Sequence, residues 1–196
     1  MYKRQTNNSS FNLGDIAAGS TKGFMVTSSL NLAALGSSVS NAGDVNGDGL
    51  ADVLIGSYFS PYTATQAGRA YVVFGKTDTT ALTTANLDNG IGGFAINAVA
   101  ASEWAGNSVS NAGDVNGDGL ADMIVNAAFA DKSGATDSGK SYVVFGKTGG
   151  ATGNTTVNLT DVATGAGGFV IVGDLANDLS GHSVSLAGDI NGDGLI

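Results

Sequence analysis

Asp44-Val45-Asn46-Gly47-Asp48-Gly49-Leu50-Ala51-Asp52 sets oxygen-bearing side chains at its first, third, fifth and ninth places. The same nine residues recur at Asp114 to Asp122, and a third copy starts at Asp189-Ile190-Asn191-Gly192-Asp193-Gly194-Leu195. A glycine at the sixth place permits the sharp turn that lets the oxygens converge. Hard oxygens in this spacing suit Ca²⁺, which takes about six to eight such ligands at roughly 2.3–2.6 Å, with a backbone carbonyl, here that of Leu50 or Leu120, at the seventh place. Without a cation, three carboxylates in so short a loop repel one another and raise each other's pKa.

These loops sit inside a longer repeat of about 70 residues. Each unit opens with Gly-x-Ser-Val-Ser, at Gly36 to Ser40, Gly106 to Ser110 and Gly181 to Ser185, and Ser38 to Asp52 is identical to Ser108 to Asp122. Four short strands are expected per unit. The first is the alternating Ser38-Val39-Ser40-Asn41-Ala42. The loop follows, and its Asn-Gly-Asp-Gly carries strong turn chemistry. The second strand is Val53-Leu54-Ile55-Gly56, or Met123-Ile124-Val125. The third is Tyr71-Val72-Val73-Phe74, or Tyr142-Val143-Val144-Phe145, whose unbroken apolar run predicts burial on both faces. The fourth is Gly93-Phe94-Ala95-Ile96, or Gly168-Phe169-Val170-Ile171-Val172. Ahead of it, the pattern pairs Ala85-Asn86-Leu87 with Val157-Asn158-Leu159, and with Phe11-Asn12-Leu13 before Gly23-Phe24. No helical periodicity runs for 11 residues or more. Four strands per long-period unit predict propeller blades.

Residues 36–105 and 106–180 are then two whole blades, 6–35 the end of a preceding one and 181–196 the start of a further, truncated one. Met1 to Gln5 match nothing in the repeats and are expected to be a non-native start. The chain reads as a fragment, with true termini elsewhere.

Composition fits an all-β chain of many tight turns: 42% hydrophobic residues, 31 glycines and one proline. Seventeen acidic residues against eight basic ones give a net charge of −9. Much of that charge lies in the loop aspartates, so bound cations would cancel it. No basic stripe exists to meet phosphates, which argues against nucleic acid. Cysteine is absent, so no disulfide framework reports a compartment. No apolar run approaches the roughly 18–20 residues that span a bilayer, and no apolar segment follows the basic Lys3 and Arg4 as a signal peptide requires.

Rival readings are weaker. An EF-hand needs a bidentate Glu at the twelfth place, where Ile55 and Val125 stand, and helical flanks, where strands are expected. A metal-free acidic turn accounts for the Asn-Gly-Asp-Gly alone. A catalytic carboxylate pair occurs once in an enzyme rather than in every unit. Glu103 is the sole glutamate and has no counterpart. The sole histidine, His182, stands where Ser37 and Asn107 stand in the other units, so a surface role is expected. Trp104 aligns with Ala34 and Leu179 and is expected to pack between blades. Tyr71 and Tyr142 read as packing residues, and Lys76 and Lys147 as solvated strand ends.

The Phe-Gly pairs Phe74-Gly75 and Phe145-Gly146, with the D-x-N-x-D-G-x-x-D loops, resemble the FG-GAP repeats that form the blades of the integrin α-subunit β-propeller and occur in many bacterial surface proteins. The Gly-Ala-Pro element departs, reading Gly56-Ser57-Tyr58 and Asn126-Ala127-Ala128. The resemblance implies a partial β-propeller of four-stranded antiparallel blades with calcium loops between strands one and two. It implies Asp44, Asn46, Asp48, the Leu50 carbonyl and Asp52 as one ligand set. Asp114, Asn116, Asp118, the Leu120 carbonyl and Asp122 form the next, and Asp189, Asn191 and Asp193 begin a third. The expected protein is not an enzyme. It is a calcium-binding propeller module of an extracellular or cell-surface protein, adhesive or binding a protein or glycan on its ring face, without nucleic-acid partners or membrane insertion, and completed by further blades of the same chain. The alternatives are an accessory propeller of a larger extracellular enzyme and a purely structural surface repeat.

Overall fold

The β-branched and aromatic runs of the repeat form strands, as their side chains pack well on a pleated surface. In the computed structural model, which describes residues 16, 23–28, 30–98, 100–149 and 156–188, the first blade contains β2 (Val39–Gly43), β3 (Asp52–Ser57), β4 (Arg69–Val73) and β6 (Gly93–Asn97). The second contains β7 (Ala105–Gly113), β8 (Asp122–Ala127), β9 (Lys140–Val144) and β11 (Gly168–Val172). Within each blade the strands pair antiparallel in meander order. β4 is buried along its whole length, as its apolar run requires. Met1 to Gln5 and the third loop's Asp189, Asn191 and Asp193 lie outside the described residues.

The blades are open sheets, a partial propeller, and they are laced together by an element the pattern misaligned. Two residues of each unit leave their own sheet and pair parallel with the fourth strand of the unit before. β5 (Leu82–Thr83) pairs with β1 (Val26–Thr27), setting Leu82 opposite Val26. β10 (Val157–Asn158) pairs with β6, setting Val157 opposite Ile96. A five-residue helix follows each: α1 (Thr84–Asp88) and α2 (Leu159–Ala163). Val157 therefore corresponds to Leu82, and Ala85-Asn86-Leu87 falls within α1, three residues out of the expected register. Burial set the true register. Leu87 and Val162 are fully buried, and each packs on the glycine opening strand four, at 2.8 Å and 3.0 Å from where a Cβ would stand on Gly93 and Gly168. The helices are too short for periodicity to reveal. α1 is instead announced by its cap: Asn86 N donates to Thr83 Oγ1 (3.2 Å) and Thr83 N donates to Asn86 Oδ1 (2.8 Å).

A buried arginine holds α1 to its blade. Arg69 pairs with Asp88 at 2.8 Å, donates to Asn97 Oδ1 and to the Tyr71 hydroxyl, and lies 3.7 Å from the centre of the Tyr62 ring. Pairing and hydrogen bonding together are what make a buried charge tolerable.

The main core lies between the blades and draws Leu54, Val72, Phe94 and Ile96 from the first, and Val109, Met123, Val125 and Val144 from the second. The backbones meet at Gly56 and Gly106. A Cβ on Gly56 would stand 2.0 Å from the Gly106 carbonyl oxygen and 2.2 Å from Ser38 Oγ, which itself donates to that carbonyl at 2.8 Å. The Gly106 carbonyl is backbone of β7 and cannot move aside. Gly56→Ala is therefore expected to destabilise the chain by about 2–4 kcal/mol, read as a lower midpoint in urea unfolding with the native strand signal retained.

Candidate metal centre

Each acidic loop bridges the first two strands of its blade and is curled by its own side chains. Asp44 Oδ1 accepts from Gly47 N (2.7 Å) and Asp48 N (3.1 Å), and its Oδ2 accepts from Gly49 N (2.8 Å). Asp48 Oδ1 accepts from Leu50 N at 2.8 Å, while Asn46 Nδ2 donates to Asp48 Oδ2 at 3.0 Å. The second loop repeats these bonds at Asp114, Asn116 and Asp118. Such side chain-to-backbone bonds are what Asp and Asn offer a turn.

The ninth-place aspartate has a different task. Asp52 is buried at the start of β3. Its Oδ2 accepts from Val45 N (2.9 Å) at the head of the loop, and its Oδ1 accepts from Gly75 N (2.8 Å) in the Phe-Gly turn after β4. Asp122 does the same with Val115 N and Gly146 N, both at 2.8 Å. The glycine of the Phe-Gly pair is a space requirement. A Cβ on Gly75 would stand 2.6 Å from Leu50 Cβ and 2.7 Å from the Ala51 carbonyl oxygen.

The first loop is also fastened to the next blade. Ala121 N donates to the Asp44 carbonyl (3.0 Å) and Lys147 N to the Val45 carbonyl (2.9 Å). Sequence reasoning missed this tie, because backbone groups carry no residue signature. The repeated lysines also reach aromatic rings: Lys76 Nζ lies 4.5 Å from the centre of the Phe24 ring, and Lys147, exposed as expected, has its Nζ 4.8 Å from that of Phe94 on the neighbouring blade. Trp104 packs across the joint as expected, with ring centres 5.3 Å from Phe59 and 4.4 Å from Phe129.

Electrostatically the loops are overloaded. Burial pushes the Asp52 carboxyl above its usual range. The amides of Gly75 and Val45 oppose that, and the charges of Asp48 and Asp44 reinforce it. Burial raises Asp122 in the same way, opposed by the Gly146 and Val115 amides and reinforced by Asp118. Arg69, Lys76 and Lys132 pair with Asp88, Asp78 and Asp174, and with none of the loop aspartates. The structure thus brings Asp44, Asn46, Asp48, Leu50 and Asp52 into one loop and Asp114, Asn116, Asp118, Leu120 and Asp122 into another. Among the described residues, no three acidic, histidine or cysteine side chains form a metal-holding group by themselves. A cation here would need the Asn46 side-chain oxygen and the Leu50 carbonyl beside the carboxylates. The donors are all hard oxygens carrying excess negative charge, chemistry that fits Ca²⁺.

Asp52→Ala is expected to cost about 2–4 kcal/mol even in chelator, because two amides in the blade lose their acceptor. Asp48→Ala, whose bonds stay within the exposed turn, should cost less than about 1 kcal/mol under the same conditions. Chemical unfolding measures both, and amide exchange at Gly75 should speed up only in the first variant.

A family model for the FG-GAP repeat matches residues 35–73 and 105–144. No curated protein matches the chain. Each matched span holds the first three strands of one blade with the acidic loop between the first and second. The chain thus carries two FG-GAP repeats, each folded as part of a propeller-type blade.

Proposed function

We propose that this is a calcium-stabilised propeller module of a secreted or cell-surface protein that serves binding or adhesion rather than catalysis. The observation that carries the reading is the position of the loops. Three carboxylates that pair with none of the ion-paired basic side chains among the described residues sit at a joint where one blade's loop is tied to the next blade through Asp44 and Val45. A cation held by Asp44, Asn46, Asp48, the Leu50 carbonyl and Asp52 would offset their mutual repulsion and stiffen that joint. Asp114, Asn116, Asp118, the Leu120 carbonyl and Asp122 would do so one blade on. Asp189, Asn191 and Asp193 begin the same set in the third unit. Because every ligand is local, ion binding becomes folding energy of the blade. Extracellular modules bind Ca²⁺ at about 10⁻⁴–10⁻³ M, which suits the calcium level outside a cell. Among the described residues no helix is long and apolar enough to cross a membrane. The stiffened blades would then present the loops of the ring face to a protein or glycan ligand.

Calorimetric titration of the 196-residue chain with Ca²⁺ tests this, alongside thermal melts in Ca²⁺, Mg²⁺ and chelator. At least one ion per complete loop should bind. At 100-fold excess over Kd each ion adds about 2.7 kcal/mol of stability, and Mg²⁺ should give little of that shift. A folded chain showing neither heat nor a melt shift with Ca²⁺ would remove the metal from the mechanism.

A further inference from the structure

Arg69 fills a site in the first blade that the second blade leaves open. The guanidinium, at the start of β4, is closed in by Asp88 at the end of α1, by Asn97 in β6, by the Tyr71 hydroxyl and by the Tyr62 ring. Strand pairing gives these groups their counterparts one unit on. Lys140 opens β9 opposite Val172 of β11, as Arg69 opens β4 opposite Asn97. Tyr142 corresponds to Tyr71, and Ala163, which follows Val162, corresponds to Asp88, which follows Leu87. The second blade thus keeps a cation and a tyrosine, and lacks the carboxylate and the amide that held the cation in the first.

An open cavity of about 480 Å³ stands where those groups would be, its lining including Glu103, Lys140, Tyr142, Thr160, Ala163 and Thr164. It is bounded by the linker between the two described blades, by β9 and by α2, at the end of β9 away from the acidic loop. Lys140 pairs there with Ala127, whereas Val144 pairs with Met123, next to Asp122. Among the described residues Lys140 has no ion pair. A partly buried cation without a carboxylate lacks what makes the buried Arg69 tolerable. Burial, and after it the charge of Glu103, hold the Tyr142 hydroxyl above the usual tyrosine range, so it stays protonated and able to donate. The exposed Thr160 and Thr164 set two hydroxyls at the rim. Glu103 opposes a bare anion and favours a ligand that offers hydroxyl donors beside its carboxylate.

We propose that this cavity binds an acidic sugar, whose carboxylate takes the place against Lys140 that the Asp88 carboxylate takes against Arg69 in the first blade. The charge-assisted contact to Lys140 and a bond from the Tyr142 hydroxyl hold the carboxylate. The ring hydroxyls meet Glu103, Thr160 and Thr164. Ala163 is the residue that makes room, since an aspartate there would occupy the site from within. The site names one ligand class for the binding role proposed above, and it stands whether or not the loops hold a cation.

Amide NMR titration of the 196-residue chain with sodium glucuronate, sodium acetate and glucose at constant ionic strength tests this. Glucuronate should give saturable shifts at the amides of Glu103, Tyr142, Thr160 and Thr164, acetate weaker ones at the same residues, and glucose none. Lys140→Gln should weaken glucuronate at least about tenfold, the worth of one hydrogen bond to a charged group. Glu103→Gln should tighten acetate. Ala163→Asp restores the first blade's carboxylate, so it should abolish binding and raise the melting temperature, a readout that stands even if Lys140→Gln fails to fold. Titrations in chelator and again in Ca²⁺ separate this site from a carboxylate captured by a loop cation, which would shift the Gly47 and Gly117 amides instead. Shifts confined to those loops, no saturable shift at all, glucose or acetate binding as tightly as glucuronate, or affinity that survives both Lys140→Gln and Ala163→Asp would each overturn the proposal.

Discussion

One buried carboxylate in each blade holds three otherwise separate pieces together. Asp52 reaches the head of the acidic loop through Val45 and the turn beyond β4 through Gly75, while standing at the first position of β3 itself. A side chain placed there must be an acceptor twice over, short, and able to tolerate burial, which an aspartate manages because two amides replace its lost water. The cost is visible in its raised pKa. The Phe-Gly pair exists for this contact: the glycine lets the turn approach the loop closely enough for the carboxylate to span them.

The loop so fixed becomes a joint between blades rather than an ornament on one. Its carbonyls at Asp44 and Val45 accept from the next blade, and Val45 sits beneath that blade at 1% exposure, whereas Val115, in the identical loop one unit on, is 42% exposed. Mechanical continuity therefore runs through the loops at one side of the blades, through the Gly56–Gly106 contact, and through the two-residue strap at the outer strand. The three fastenings differ: backbone amide to loop carbonyl, close approach of two glycine backbones, and parallel strand addition. Anything that stiffens the loops is felt across the joint.

The strap also separates unit from sheet. A repeat in sequence is not a self-contained blade, since it gives away two residues and takes two from the next unit. Nearest-neighbour stacking of this kind makes stability accumulate along the array and leaves the ends unsatisfied. Ile96, paired with Val157 of the following unit, is fully buried.

Much was legible in the residues themselves. Turn chemistry and oxygen spacing marked the loops, apolar runs marked β3, β4, β8 and β9, and recurrence marked the blades, because each of these is encoded locally and repeated. The strap's register was not legible: Ala85-Asn86-Leu87 resembles Val157-Asn158-Leu159 in letters, yet burial of Leu87 and Val162 against the strand-opening glycines fixes a shift of three residues. Nor could the letters rank two identical segments. Ser38 to Asp52 and Ser108 to Asp122 share every residue, yet Val39 is exposed and Val109 buried, while Val45 is buried and Val115 exposed. Local sequence determines how such a segment turns and which atoms it can offer a cation. Which of its faces meets water is decided by the neighbouring blade, through contacts that no residue of the segment encodes.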